Sequence, residues 1–194
     1  GLPARVVRVS FTGELSFEIN VAPRHLPELW DRVMQAGAPL GILPVGSEAS
    51  HVLRVEKGFL SLGHEVDGTV DPYDLGMGWL MSSKKPDFLG KRSVLLRRAG
   101  GAVRRALVGL LPETDQQIPE SAHLTPNGAR EASEGLVTAC VYSTVQERWV
   151  ALALLENGAQ RMGERVHVRV LDSVIAARVT QPVFHDPDGE RLRS

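Results

Sequence analysis

The sequence predicts an α+β fold, with a mixed unit over residues 1–99 followed by a small antiparallel β unit over residues 100–194. Three observations carry this reading. Period-two alternation marks a strand or hairpin near the start, apolar residues at helical spacing follow it, and five short apolar segments between turn residues fill the second half.

From Val9 to Val21 the odd positions are Val9, Phe11, Gly13, Leu15, Phe17, Ile19 and Val21, and the even ones are polar. That is a half-buried strand or hairpin with a turn or bulge at Thr12-Gly13, and it puts Glu14 and Glu18 on one polar face. After Pro23, Leu26, Leu29, Trp30, Val33 and Met34 recur at helical spacing. This helix is expected to bury its Trp30 side and to end at Gly37 in a left-handed conformation. A second helix is expected over Ser47 to Lys57, with Ser47 as N-cap and Gly58 as the stop. Its stripe of Val45, Ala49, Val52 and Leu53 extends to Glu56, so a carboxylate falls near the buried face. There it needs hydrogen bonds or a cation, and Arg54 and Lys57 are the nearest candidates.

The glycine-rich stretch Gly58 to Gly78 reads as loops between short strands. Lys84, Lys85, Lys91, Arg92, Arg97, Arg98, Arg104 and Arg105 then form a basic run, read as a solvated helix face and linker with a boundary at Gly100-Gly101. Beyond it lie Ala106 to Leu111, Gly135 to Tyr142, Trp149 to Leu155, Glu164 to Leu171 and Ser173 to Val179. Strands at this spacing suggest a small β-barrel or sandwich.

Composition narrows the function. The 194 residues carry 22 Lys+Arg against 23 Asp+Glu, so a basic surface built to collect phosphates is not expected and nucleic-acid binding is set aside. The longest apolar run, Trp149 to Leu155, falls far short of the roughly 20 residues of a membrane-spanning helix. The single Cys140 excludes an intrachain disulfide and a multi-cysteine metal cage, and it fits a reducing, cytoplasmic setting. The start, Gly1-Leu2-Pro3, has no initiator Met and no signal-peptide pattern, so the chain is expected to be a piece of a longer protein.

No phosphate-cradling glycine loop and no dinucleotide-binding spacing occurs. His64, Glu65 and Asp67 can be drawn as a metal site, but in a glycine-rich loop they read as solvated residues, and no metal is expected. Cys140 sits inside a predicted strand and reads as a structural thiol. Glu14 and Glu18 are either outward residues on a wet sheet face or a recognition pair. A single carboxylate can accept the adjacent N–H and amino groups of a pterin-like heteroaromatic ring.

The run Arg8-Val9-Ser10-Phe11-Thr12-Gly13-Glu14-Leu15-Ser16-Phe17-Glu18-Ile19 resembles the R-x-S-Y-T-G-E-x-G-F-E-I signature of the folate-binding aminomethyltransferase family, which includes the glycine-cleavage T-protein. Downstream, Leu29-Trp30, Leu53-Arg54-Val55-Glu56-Lys57-Gly58-Phe59, Asp87-Phe88-Leu89-Gly90-Lys91 and Pro182-Val183-Phe184-His185-Asp186 follow in that family's order. Residues 46–59 most resemble the branch formed by the C-terminal part of heterotetrameric sarcosine oxidase alpha subunits. The resemblance thus implies a truncated folate-binding domain followed by a C-terminal β-barrel.

By that resemblance Glu18 grips the pterin ring of tetrahydrofolate, and Glu14 is structural, fixing backbone N–H groups of the Thr-Gly-Glu turn. Arg54 and Glu56 form a buried or half-buried ion pair that supports the site. Ser50 stands where T-proteins carry an arginine that helps at the folate. The principal catalytic carboxylate lies upstream in these proteins, so no catalytic residue is assigned here. The implied complex would hold FAD, FMN and NAD elsewhere, and its partners would be the beta, gamma and delta subunits and the preceding part of the alpha subunit. Alternatives are a tetrahydrofolate-dependent aminomethyltransferase, including dimethylglycine dehydrogenase-like proteins, and a noncatalytic folate-binding scaffold. The last is disfavoured because Phe59 follows Lys57-Gly58 where such scaffolds carry a cysteine.

Overall fold

A computed structural model describes residues 1–101, 104–128 and 132–193. Most of its buried apolar core lies in the second half, where β3 (Arg105–Pro112), β4 (His123–Thr125), β5 (Gly135–Ser143), β6 (Arg148–Glu156), β7 (Arg165–Val170) and β8 (Ser173–Thr180) close into a barrel of order β3-β6-β5-β4-β7-β8. All of its pairings are antiparallel. The five segments expected from the sequence are β3, β5, β6, β7 and β8. The three-residue β4 is too short to carry an alternation pattern and was not foreseen.

Alternation along each strand divides the barrel's apolar residues between two faces. On β6, Ala151, Ala153 and Leu155 join the interior cluster with Val108, Leu110 and Val166, while Val150, Leu152 and Leu154 join a second cluster with Val55. That second cluster is an outer core, and α2 (Ser47–Glu56) supplies Val55 to it.

Before the barrel lie β1 (Ala4–Arg8) and β2 (Phe17–Val21), paired antiparallel from Ala4↔Val21 to Arg8↔Phe17, then α1 (Leu26–Gly37), α2, and α3 (Lys91–Ala99). The hairpin is thus shorter than the alternation suggests, because residues 9–16 form a loop between the strands. Gly13 turns that loop at φ 85°, with its N–H donated to Ser10 Oγ at 2.9 Å.

Helix α1 departs from expectation. Trp30 is 59% exposed and Leu26 52%, because among the described residues no element covers this apolar stripe. Gly37 remains helical, and Gly41 takes the left-handed conformation instead. At the start of α2, Gly46 holds the N-cap position and Ser47 is the first helical residue, with no side-chain cap. The stretch 58–78 forms turns, with only an isolated bridge Leu62↔Val66 where strands were expected.

The C-terminus of α2 decides how the first half meets the barrel. Gly58, at φ 68°, donates its N–H to Val55 O at 3.0 Å, and Phe59 donates to Arg54 O at 2.8 Å, the two bonds of a Schellman motif. A Cβ on Gly58 would lie 2.2 Å from Pro182 O, so only glycine admits the segment after β8 this close. Arg54 and Glu65 are both fully buried, with Nη1 donating to Oε2 at 2.8 Å. Glu65 also accepts from the Thr138 hydroxyl at 2.8 Å and the Ser61 N–H at 2.9 Å.

This corrects the expected Arg54–Glu56 pair. Two residues apart on a helix, the two side chains leave in different directions. Glu56 instead accepts from the Ser143 hydroxyl of β5 at 2.5 Å. Removing one end of the buried Arg54–Glu65 pair should cost about 3 to 5 kcal/mol, whereas replacing both ends with apolar groups should recover most of that loss. Urea midpoints of Glu65→Gln, Arg54→Met and the double variant Arg54→Met/Glu65→Leu test this. The double variant is expected to be more stable than either single one.

Candidate functional site

Glu18 lies on β2 opposite Val7, on the hairpin face that also carries Arg5 and Asn20. Its side chain is exposed, and among the described residues its carboxylate has no hydrogen-bond partner. The opposite face presents Val6, Phe17 and Ile19, also exposed.

What fixes this hairpin is a set of contacts with the C-terminal segment. The stem of Lys57 lies so near Gly13 that a Cβ there would sit 2.6 Å from Lys57 Cγ. The ammonium end pairs with Asp186 Oδ2 at 2.8 Å and also donates to the Asp186 carbonyl, with both side chains almost fully buried. Asp186 further accepts the N–H groups of Glu190 and Arg191 at the start of α4 (Glu190–Arg193). From α4, Arg191 reaches the Glu14 carboxylate at 3.3 Å, and its carbonyl accepts the Leu15 N–H at 3.1 Å. Glu14 is therefore a tether to α4, and Ser10 holds the turn N–H that Glu14 was expected to hold. Lys57 and Asp186 lie 129 residues apart, and no local pattern announces such a pair.

On α2, Ser50 is half-buried, one turn before the buried Arg54. The neighbouring His51 accepts from Arg54 Nε through its Nδ1 at 3.4 Å, which leaves Nε2 facing Glu120 at 3.8 Å. His64 contacts the Thr138 carbonyl at 3.2 Å and Glu120 at 3.7 Å, and its ring centroid lies 5.6 Å from that of His51. Burial, and next the Arg54 charge, hold the His51 pKa below its ordinary value, while Glu120 works in the opposite sense.

The drawn set His64, Glu65 and Asp67 is dispersed by these contacts. Glu65 turns inward to Arg54, and Asp67 accepts the Thr69 N–H at 2.8 Å. Among the described residues no three His, Cys, Asp or Glu side chains group as metal ligands. Cys140 is buried in β5, and burial pushes its thiol up to about 11, which keeps it protonated and unreactive at neutral pH. No described helix is long and apolar enough to cross a membrane.

Two family models match the chain: the GCVT N-terminal domain over residues 1–85 and the glycine cleavage T-protein C-terminal barrel domain over residues 105–186. The chain belongs to the glycine cleavage T-protein family. Within it, the chain is 40% identical over 197 residues to the sarcosine oxidase subunit alpha of Corynebacterium sp. (strain P-1), covering 98% of this chain and 20% of that protein. It is 32% identical to a trimethylamine-oxide aldolase of Ruegeria pomeroyi, covering 100% of this chain and 25% of that protein. Among solved structures, the glycine cleavage system aminomethyltransferase T of Bartonella henselae superposes with a TM-score of 0.82 at 25% identity, covering 94% of this chain and 50% of that one. The chain thus spans about a fifth of the oxidase subunit it matches.

Within this T-protein fold, the site residues expected from sequence divide into two groups. Arg54 and Glu56 join α2 to the barrel, whereas Glu14 and Glu18 sit on the hairpin, and among the described residues no hydrogen bond or ion pair links Glu18 to Ser50.

The Lys57 contact holds the Asp186 carboxyl below its ordinary value. A depressed carboxyl contributes stability above the unfolded value of about 3.9 and loses it as pH falls through the folded value. Asp186→Asn should therefore lower the urea midpoint at neutral pH, and its difference from wild type should shrink as pH falls below the ordinary carboxyl value of about 3.9. Amide exchange of residues 11–16 should accelerate in the same variant.

Proposed function

We propose that this chain supplies the folate-contacting region of a sarcosine oxidase alpha-type protein, in which Glu18 grips the pterin ring of tetrahydrofolate. The observation that carries the proposal is an exposed carboxylate with no partner among the described residues, on a hairpin held by the buried Lys57–Asp186 contact. Such a carboxylate can accept a neighbouring N–H and amino group together, and a support that does not move keeps the ordering cost of binding low. The 40% identity to a sarcosine oxidase subunit alpha supports the choice of parent.

In the proposed reaction, oxidation of sarcosine elsewhere in the complex supplies an imine. Tetrahydrofolate would supply two N–H groups whose nitrogens displace the glycine nitrogen from the methylene carbon, both bonds of the imine C=N breaking and the two N–H protons passing to the glycine that leaves. Those proton transfers would be managed by a carboxylate outside these residues. Arg54, Glu65 and Glu56 hold α2 and the Ser50 position but do not touch the reacting atoms. FAD, FMN and NAD belong to other parts of the complex, since no glycine loop of this sequence fits a dinucleotide phosphate. By itself the chain is expected not to oxidise sarcosine. Its partners are the preceding part of the alpha subunit and the beta, gamma and delta subunits, in the cytoplasm.

A second reading, a tetrahydrofolate-dependent aminomethyltransferase, draws support from the structural likeness to the Bartonella henselae protein. Ser50 and His51 count against it, because T-proteins carry an arginine and an aspartate there. In both readings Glu18 has the same role.

Glu18→Gln in the complete complex should weaken folinate binding roughly tenfold or more, since a charge-assisted bidentate contact becomes a neutral one. Sarcosine-dependent flavin reduction should stay near wild type. An unchanged folinate affinity would remove Glu18 from the site.

A further inference from the structure

Two histidines and a glutamate from three separate stretches of chain meet where α2 faces the barrel. His51 stands on α2, His64 in the turns after it, and Glu120 in the connection 113–122 between β3 and β4. That connection is pinned on both sides of Glu120. Ile118 is fully buried with its N–H on Cys140 Sγ at 3.4 Å, and Ser121 donates its N–H to Val137 O at 2.8 Å. The Glu120 backbone is thus fixed, while its side chain is 46% exposed.

The hydrogen-bond partners set the two tautomers. A guanidinium can only donate, so His51 Nδ1, 3.4 Å from Arg54 Nε and 3.5 Å from Nη2, is the bare acceptor nitrogen. Its Nε2 then carries the hydrogen, toward Glu120 Oε1 at 3.8 Å. A carbonyl can only accept, so His64 Nδ1, 3.2 Å from Thr138 O, carries the hydrogen and lies 3.7 Å from Glu120 Oε2. Both separations from Glu120 are longer than a hydrogen bond but within the reach of an ion pair, so a charged ring would draw the carboxylate in.

The His51 ring is thereby placed between a buried cation and an accessible anion, with one nitrogen toward each. A further proton adds only at Nδ1, where the new N–H would point at the guanidinium. Arg54 cannot give way, because Glu65 and the Phe59 carbonyl hold it, whereas the Glu120 side chain can close on the ring. The charged and titratable groups facing His51 are Arg54 and Glu48 on its own helix, Glu120 on the barrel connection, and His64, whose ring centroid is 5.6 Å away. Burial opposes the charged ring most and Arg54 next, Glu120 favours it, His64 opposes it and Glu48 favours it.

We propose that His51 is a pH-operated switch at the seam between α2 and the barrel: neutral, its ring accepts from Arg54, and protonated, it leaves Arg54 and pairs with Glu120. The proton comes from solvent, which reaches the 26% exposed side chain. The exchanged contact lies outside the buried Arg54–Glu65 pair, so α2 keeps its seat while the partner of its outer side changes. The switch does not depend on the folate reading.

The test follows the His51 ring of the full chain by NMR from about pH 8 to about pH 5, the range in which histidine titrates. At the alkaline end its nitrogen shifts should show a bare Nδ1 and a protonated Nε2, and its Overhauser contacts should lie with the Arg54 side chain. Through a titration with its midpoint below the ordinary histidine value of about 6.5, those contacts should give way to contacts with the Glu120 methylenes. Glu120→Gln should move the midpoint to lower pH and abolish the new contacts, because it removes an attracting charge. His64→Gln, which removes a repelling one, should move the midpoint to higher pH. Both side chains are partly exposed, so melting curves of these variants at the alkaline end should stay close to wild type. His51→Asn offers an amide oxygen in the region of Nδ1 and cannot titrate, so the pH-dependent exchange of contacts should vanish. The opposite neutral tautomer, ring contacts unchanged through the titration, or a midpoint that neither Glu120→Gln nor His64→Gln moves overturns the proposal.

Discussion

The fully buried contact between Arg54 and Glu65 is the constraint on which the arrangement depends. A guanidinium and a carboxylate removed from water are tolerable only if their remaining donors and acceptors are met. Here Phe59 O lies 3.3 Å from Arg54 Nη1, while Ser61 N–H and the Thr138 hydroxyl complete Glu65. Phe59 and Ser61 belong to the turn after α2, and Thr138 to strand β5. The pair therefore ties α2, the turn after it and strand β5 to one geometry.

The barrel meets this constraint with an irregularity. The β5–β6 register slips between Val137 and Ala139, leaving Thr138 as the extra residue of a bulge. A bulge re-aims a side chain that strict alternation would place elsewhere. Thr138 uses both of its polar groups there: its hydroxyl meets Glu65 and its carbonyl meets His64. The next turn of the connection is made by the segment after β8, whose Phe184 and His185 N–H groups both go to the Glu56 carbonyl at 2.8 and 3.0 Å. One residue further, Asp186 reaches Lys57 and so holds the loop between β1 and β2.

The sequence made the barrel largely legible because each strand carries its own information. Along β3 and β6, alternate residues fill the two faces of a closed sheet, so a pattern within nine residues is sufficient. The hairpin turn was legible at Gly13 for a similar local reason. Partners were not. Glu56 could be placed at a buried face from its spacing, but its partner Ser143 lies 87 residues away, and Thr138 lies 73 from Glu65. Trp30 shows a different limit, since periodicity identifies an apolar stripe but not the surface that covers it. Of the site itself, the family signature singled out Glu18, while the contacts of Lys57 and Asp186 emerged only from the folded chain.

These contacts separate two demands that one segment of sequence has to meet. The support is built from buried, hydrogen-bonded groups, and removing the polar group of Arg54 or Glu65 alone strands its charged partner. The groups beside it are free to differ. Ser50 and His51 sit on the same helix as Arg54, yet they are only partly buried, and His51 touches the support through long contacts of its Nδ1 with Arg54 Nε and Nη2 at 3.4 and 3.5 Å. A substitution there alters what faces the solvent without dismantling the helix's seat on the barrel. Residues 50 and 51 thus lie on the anchored helix without being among its fully buried anchors. The Arg54 and Glu56 side chains beside them are buried, whereas Glu18 is exposed and has no hydrogen-bond or ion-pair partner among the described residues.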